Sequence, residues 1–263
     1  MSGSSSFLSF YDPDFYDQEI GPGSRVPELY VSLAVEMGGP ILELGCGTGN
    51  ILLPIAQKGV EAWGLDASAP MLERAREKVK KIHHAKRLEL ALGYMEEFSL
   101  DCKFRQIFLT NDVIAHLIHG DALLQAFSKC REHMAPNGRL TLDMASFDIR
   151  YLAQYSHNSN SHFRHRGIFP LKKDGEQIQV WERTTYDVAT GVLTAHFRYE
   201  RLRSDGQLLN TQDRTLVLRP RNVDEVRFAL LAAGFEEVEI APAGVHDGSI
   251  LTASTHHADT HPN

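Results

Sequence analysis

The stretch ILELGCGTGN, residues 41–50, places three glycines in five residues, Gly45, Gly47 and Gly49, directly after an apolar run that carries one acid, Glu43. Glycine has no Cβ and tolerates positive φ, so such a loop lets bare backbone approach a ligand closely. A second acid, Asp66, ends the next apolar run, EAWGLD, 21 residues after Gly45. A carboxylate at that place can accept hydrogen bonds from the hydroxyls of a ribose. The dinucleotide fingerprint is G-x-G-x-x-G, and the position of its third glycine is taken by Asn50. The Walker pattern also fails, because no G-K-[ST] follows. The loop predicts a nucleotide-like site that neither pattern describes.

Two histidines, His116 and His119, follow the segment Leu109–Asp112. Spaced i, i+3, they could share one helix face or begin a metal site. No further Cys, Asp or Glu ligand can be placed with them from the sequence, so no metal is expected. Cys46, Cys102 and Cys130 are odd in number and scattered. They read as reduced thiols, not as a disulfide frame. Cys46 lies inside the glycine loop with no adjacent basic residue, and reads as a small filler more than as a nucleophile.

The elements that must carry these residues alternate. Residues 41–45 and 61–66 read as strands, with a helix at 50–59 between them and a helix at 69–82 after them, Ser68 standing at its N-cap. Strands follow at 88–93, 105–111 and 139–145. A helix from Gly120 to His133 and a turn in APNGR precede the last. Strands separated by helices predict a parallel sheet covered on both faces. After residue 150 the pattern changes. Residues 177–188, 191–203 and 208–219 alternate over long stretches, joined by ATG and DG hairpin signals, and predict an antiparallel meander. A helix at 222–235, with Asn222 as N-cap, and strands at 236–242 and 249–255 close the chain. Residues 26–38 read as an N-terminal helix.

ELGCGTG (43–49) and GLDASAPMLERAR (64–76) resemble the first and second motifs of the class I S-adenosylmethionine (SAM)-dependent methyltransferases. GYMEEF (93–98) sits where that family often shows Gly-Asp-Met-x-x-Phe, LTNDVIAHL (109–117) sits at its fourth motif, and AAGFEEVEI (232–240) is similar to its closing helix and strand. The resemblance covers roughly residues 24 to 255. It implies an α/β, Rossmann-like fold: a mostly parallel seven-stranded sheet with helices on both faces, plus an antiparallel β insertion after the fifth strand. One domain would span 1–255, with 1–38 as a helical cap and 151–219 as a substrate lid, and 256–263 would be a disordered tail.

The same resemblance implies SAM as cofactor. Gly45, Cys46, Gly47 and Asn50 would cradle its methionine part, with Glu43 near the amino group. Asp66, with Ala67 beside it, would hold the ribose, and Met71 would cover the adenine. Tyr94 replaces the acid that often receives the adenine amino group, so those contacts would pass to main chain around Met95 or to Glu96. Thr110, Asn111 and Asp112 would border the site at the fourth motif. Arg25 reads either as a partner of the cofactor carboxylate or as a solvated arginine. His116 stands where related small-molecule N-methyltransferases carry a histidine facing the acceptor, or else is a solvated helix histidine. Tyr11 and Tyr16 would bring a ring face to the sulfonium, or simply pack.

The resemblance also points to the acceptor. The insertion resembles lids of small-molecule methyltransferases acting on glycine, amino sugars or heteroaromatic nitrogens of the azapteridine (toxoflavin) type. N-methylation of a small metabolite is the expected reaction, with O-methylation or an inactive SAM-binding protein as alternatives. A dehydrogenase would need the missing third glycine. Trp181, Phe197 and Tyr199 would line an aromatic pocket or form the insertion's own core. Nucleic acid is not an expected partner. The slot after the fourth strand reads Asn111–Asp112–Val113–Ile114 and not Pro-Pro-aromatic, no Pro-Cys pair occurs, and the net charge is −7. Hydrophobic content of 43% and charged content of 23% suit a soluble globular chain. No apolar run long enough to span a membrane is present, and MSGSSSF lacks the features of a signal peptide, so a cytoplasmic protein is expected.

Overall fold

The computed structural model describes residues 12–19, 26–82, 88–145, 149–156, 162–171, 175–243 and 248–255. In chain order the elements are α1 (Pro13–Glu19), α2 (Val26–Met37), β1 (Ile41–Leu44), α3 (Leu52–Gln57), β2 (Ala62–Asp66), α4 (Ala69–Val79), β3 (Leu88–Leu92) and β4 (Phe104–Leu109). A 3-10 turn (Val113–His116) leads to α5 (Gly120–Glu132), β5 (Met134–Met144) and α6 (Ile149–Ala153). Strands β6 (Arg164–Pro170), β7 (Gln177–Asp187), β8 (Val192–Leu202) and β9 (Leu208–Leu218) follow, and α7 (Val223–Ala232), β10 (Glu237–Pro242) and β11 (Ser249–Ser254) end the series.

Among the described residues, 149–220 form one compact unit and 12–145 with 221–255 form the other. The larger unit is built on a seven-stranded sheet of order β10-β11-β5-β4-β1-β2-β3. Its β1–β5 pairs are parallel, and β11 runs antiparallel to both β5 and β10. All four residues of β1 are buried, as expected of a central strand covered on both faces. Side chains alternate to two apolar clusters. Leu42, Ile107, Leu109, Phe127 and Leu142 lie in one, and Tyr30, Ile41, Ile55, Leu72 and Phe108 in the other. Each such side chain contributes about 1.5–3 kcal/mol on burial. The chain order reverses at β1, where β2 lies on one side and β4 on the other. The carboxyl ends of these strands therefore flank the crevice in which α/β sheets bind ligands.

Several boundaries differ from expectation for local reasons. The helix after the glycine loop is only α3, because residues 46–49 close a turn in which Gly49 N–H donates to Cys46 O at 2.8 Å. Ser68 occupies the N-cap of α4, but its side chain makes no capping bond. The expected turn in APNGR is part of β5: the strand shifts register against β4 between Phe104 and Gln106, and Asn137 turns left-handed at φ 58°. Asn222 does cap α7, accepting from Asp224 N at 2.8 Å and Glu225 N at 3.3 Å.

The smaller unit carries an antiparallel sheet of order β6-β7-β8-β9. Its last three strands follow the expected meander. The first, RHRGIFP, has almost no buried side chain and so gave no alternation to read. Trp181 pairs with Arg198, whereas Glu182 pairs with Phe197 and Val180 with Tyr199. Successive side chains point to opposite faces, so Trp181 lies on the other face of the sheet from Phe197 and Tyr199. Its indole N–H donates to Glu200 at 2.9 Å. Phe197 and Tyr199 stack on the other face with centroids 6.0 Å apart.

Candidate active site

The glycine loop is tied to the end of β2. Gly45 N and Cys46 N donate to Leu65 O at 2.7 and 3.1 Å. Asp66 then joins the two loops, because Gly47 N donates to one carboxylate oxygen at 2.7 Å and Ser68 N to the other at 2.8 Å. Burial nonetheless pushes this carboxyl above its usual value. Each oxygen keeps a further lone pair, so the group that fixes the loop can also receive ligand hydroxyls. Gly45 has φ +71°, and a Cβ there would lie 2.3 Å from Val113 Cγ2. The glycine is needed where the loop meets the turn after β4. Gly47 has φ +53°, and a Cβ there would sit 3.3 Å from Met71 Cε and 3.9 Å from the Tyr16 ring. The Cys46 thiol is buried against Gly64, and burial pushes it far from the thiolate form.

Glu43 lies in the middle of this floor and is 2% exposed. Thr110 Oγ1 donates to its Oε1 at 3.0 Å, while Oε2 has no hydrogen-bond partner. Burial pushes its carboxyl up to about 8, and the Asp66 and Asp143 charges act in the same direction. A buried acceptor of this kind calls for a cationic ligand group or a proton.

α1 covers the loop. Tyr16 stands beside Gly47, and burial, then the Glu43 and Asp66 carboxylates, push its phenol up. Its neighbour Asp17 is the anchor. One oxygen accepts from Thr48 Oγ1 at 2.6 Å and Lys78 Nζ at 2.6 Å, and the other from Arg74 Nε at 3.2 Å. Lys78 also donates to Asn50 Oδ1 and Thr48 Oγ1, both at 2.9 Å. Asn50 is thus part of a bridge between loop and α4. Asp17, Thr48, Arg74 and Lys78 were not singled out from sequence.

The turn after β4 is held at both ends. Asn111 and Asp112 both take left-handed φ, 55° and 53°, a conformation that costs a non-glycine residue about 1–3 kcal/mol. Asp143, from β5, receives Asn111 N at 3.0 Å, Asp112 N at 3.2 Å and the Tyr30 hydroxyl at 2.7 Å. Burial and the Asp143 charge push the Asp112 carboxyl up to about 7. At the far end, Arg221 donates to Ile114 O at 2.8 Å and to Leu117 O. His116 lies between those carbonyls, and burial pushes its imidazole down to about 4. It is therefore neutral at ordinary pH. His119 does not share a helix face with it. The 3-10 turn ends at His116, and His119 is the extended N-cap of α5 at φ −92°, ψ 144°.

Of the remaining expected residues, Met71 lies at the same floor. Met71 is buried beside Gly47, and Ala67 separates Asp66 from Ser68. Tyr94, Met95 and Glu96 form the turn after β3, with Glu97 N bonded to Tyr94 O at 3.2 Å. Burial raises the Glu96 carboxyl, which does not suit it to an ion pair but leaves it able to accept a hydrogen bond. Tyr11 and Arg25 lie outside the described residues, as does the tail 256–263. Among the described residues, no group of three His, Cys, Asp or Glu could hold a metal, and no helix is long and apolar enough to cross a membrane.

Residues 41–138 match the family model described as a methyltransferase domain. The Bacillus subtilis (strain 168) protein YqeM, a methyltransferase by name, is 30% identical over 121 residues, which are 46% of this chain and 48% of that protein. The chain thus spans about half the length of such curated relatives. The CcbJ methyltransferase from Streptomyces caelestis superposes with a TM-score of 0.74 at 21% identity, over 97% of this chain and 99% of that one. The sugar N-methyltransferase KedS8 from Streptoalloteichus sp ATCC 53650 gives 0.70 at 19% identity, over 92% of each chain. At these identities the likeness is one of fold, a Rossmann-like methyltransferase fold with a separate antiparallel sheet. Residues 41–138 are thus similar to a methyltransferase domain.

Proposed function

We propose that this chain methylates a nitrogen of a small metabolite, an amine or an N-heteroaromatic, at the floor formed by Glu43, the glycine loop and Asp66. Bound SAM supplies an electrophilic methyl group whose leaving group is a neutral thioether. The residues present fit it. The buried Glu43 carboxylate, with Oε2 lacking a partner, suits the cofactor ammonium. Asp66 has lone pairs left for ribose hydroxyls after binding Gly47 N and Ser68 N. Gly47 leaves a slot between Met71 and Tyr16, where the tyrosine face can stabilise a cation. Thr110 keeps Glu43 oriented, and α1 excludes water from the loop.

What favours nitrogen over oxygen is the burial of His116 in the turn after β4. Its imidazole, pushed down to about 4 by burial, is a poor base for a hydroxyl whose proton leaves near pH 10, as a phenol's does. An amine that arrives neutral attacks with its own lone pair and needs no strong base. His116 then serves by accepting a hydrogen bond from the amine N–H and so aiming the lone pair at the methyl carbon, a gain in orientation. The net charge of −7 supports a small acceptor over nucleic acid. The fold likeness to a sugar N-methyltransferase supports the same class.

The test is calorimetric titration with SAM, S-adenosylhomocysteine (SAH) and NAD(H), followed by a methyl-transfer screen of small amines, N-heteroaromatics and phenols. Binding of SAM and SAH with transfer to amines is expected. Binding of NAD(H) alone would overturn the cofactor site, and transfer to phenols alone would overturn the acceptor.

A further inference from the structure

Arg221 is a buried guanidinium with 1% of its side chain exposed, and nothing in the proposed reaction yet uses it. It stands at the end of the insertion, directly before the capped start of α7 at Asn222. Burying a charge is costly unless it is paired and hydrogen-bonded. Here Nε pairs with Glu225 at 3.3 Å, one terminal nitrogen donates to Ile114 O at 2.8 Å, and the other donates to Leu117 O. Those two carbonyls flank His116. A planar guanidinium reaches two carbonyls from one rigid fork, which a lysine cannot do.

The opposite end of the same turn is gripped by a charge of opposite sign. Asp143 receives the N–H groups of Asn111 and Asp112, which are held left-handed. Negative charge at the N–H end and positive charge at the carbonyl end both complement the dipole of a helical turn. Two buried charges drawn from β5 and from the insertion's exit thus hold the short segment that carries His116. The turn's own backbone bonds include Val113 N to Thr110 O at 3.3 Å, Ala115 N to Asp112 O at 2.9 Å and Leu117 N to Ile114 O at 3.1 Å.

We propose that Arg221 is a positioning residue: its fork on the Ile114 and Leu117 carbonyls fixes the His116 imidazole for the methyl acceptor. The inference rests on the acceptor-facing role given to His116 above. The acceptor's orientation then depends on a residue that never touches it.

The test uses the full chain labelled with 13C- and 15N-histidine, with His116 assigned by loss of its signal in His116→Gln. Imidazole resonances are followed against pH in wild type, Arg221→Met and Arg221→Lys, and SAH affinity is measured for each. Burial lowers the His116 value; Arg221→Lys keeps the charge but loses the fork, so a rise in that variant reports opening of the turn to water and not loss of the charge. Wild type should titrate near 4. Arg221→Met should rise by more than about one unit toward the ordinary value of about 6.5, and Arg221→Lys should rise less. SAH affinity should change by less than about threefold. A general loss of stability would lower the melting temperature but leave this midpoint in place. An unmoved midpoint in the folded variants would sink the proposal. So would failure of both variants to fold, which would make Arg221 a residue of the fold alone. If wild type does not bind SAH, the proposed function fails; an unmoved midpoint in a chain that binds SAH removes only the brace.

Discussion

Glu43→Gln should make the ligand-free protein more stable at alkaline pH and no different at acid pH. The Glu43 carboxyl is raised from 4.5 to about 8, a difference of 8 − 4.5 = 3.5. At about 1.36 kcal/mol per unit the full shift would correspond to about 5 kcal/mol. Water entry and the dielectric response of a real interior reduce this, and about 2–3 kcal/mol is the working expectation. The direction follows from the sign of the shift. A carboxyl whose folded value lies above its unfolded value contributes stability below the unfolded value and loses it as pH rises through the folded one. Wild type should therefore lose stability between about pH 5 and pH 8, while glutamine, which does not titrate, loses none of it. Thermal unfolding without ligand is the assay. For a chain of this size about 2–3 kcal/mol corresponds to roughly 5–10 °C, present near pH 8 and absent near pH 5. With SAH the advantage near pH 8 should shrink. The neutral amide cannot form a charge-assisted bond with the ligand ammonium, a bond worth about 1.5–3 kcal/mol, so the variant should bind SAH roughly tenfold or more weakly. A stability difference that is the same at both pH values would refute the reasoning about burial. Equal SAH affinity would refute the ammonium assignment.

Three further outcomes follow from the same geometry. Asp66→Ala removes the acceptor of Gly47 N and Ser68 N as well as any ribose contact; each charged bond is worth about 1.5–3 kcal/mol, so SAM affinity by calorimetry should fall at least about a hundredfold, and unchanged affinity would remove Asp66 from the site. Gly45→Ala places a methyl 2.3 Å from Val113 Cγ2 at φ +71°; unfolding in urea should show a loss of about 2–4 kcal/mol, and a near-neutral effect would mean the loop relaxes freely. Asp17→Ala frees α1 from Thr48, Arg74 and Lys78; stopped-flow measurement should give SAH dissociation about tenfold faster, and an unaltered rate would show that α1 does not gate the ligand.

The parts of this molecule that were legible in the sequence are those whose signal is local. The glycine loop, Asp66 at the end of β2, the alternating meander and the Asn222 cap each announce themselves within a few residues. The parts that were not legible are long-range pairings of charge. Asp17 meets Lys78 across 61 residues, Tyr30 meets Asp143 across 113, and Arg221 meets Ile114 across 107. Nothing in PDFYDQE or RPRNVDE distinguishes Asp17 or Arg221 from a solvated surface charge. Asp143 did leave a signal: it is an acid in the apolar run RLTLDMA, as Glu43 is in ILELG, and a carboxylate among strand apolars must find a partner. Glu43 was noticed because a glycine loop follows it, whereas Asp143 is followed by nothing that marks a site. The same logic explains His116 and His119. Their spacing suits one helix face, but the Asp143 and Arg221 grips fix a turn that ends at His116, so tertiary charge overrides the local period. In this fold the glycine-loop floor is written in short motifs, and the hardware that holds the turn of His116 is written in acids and bases whose partners only the sheet order brings together.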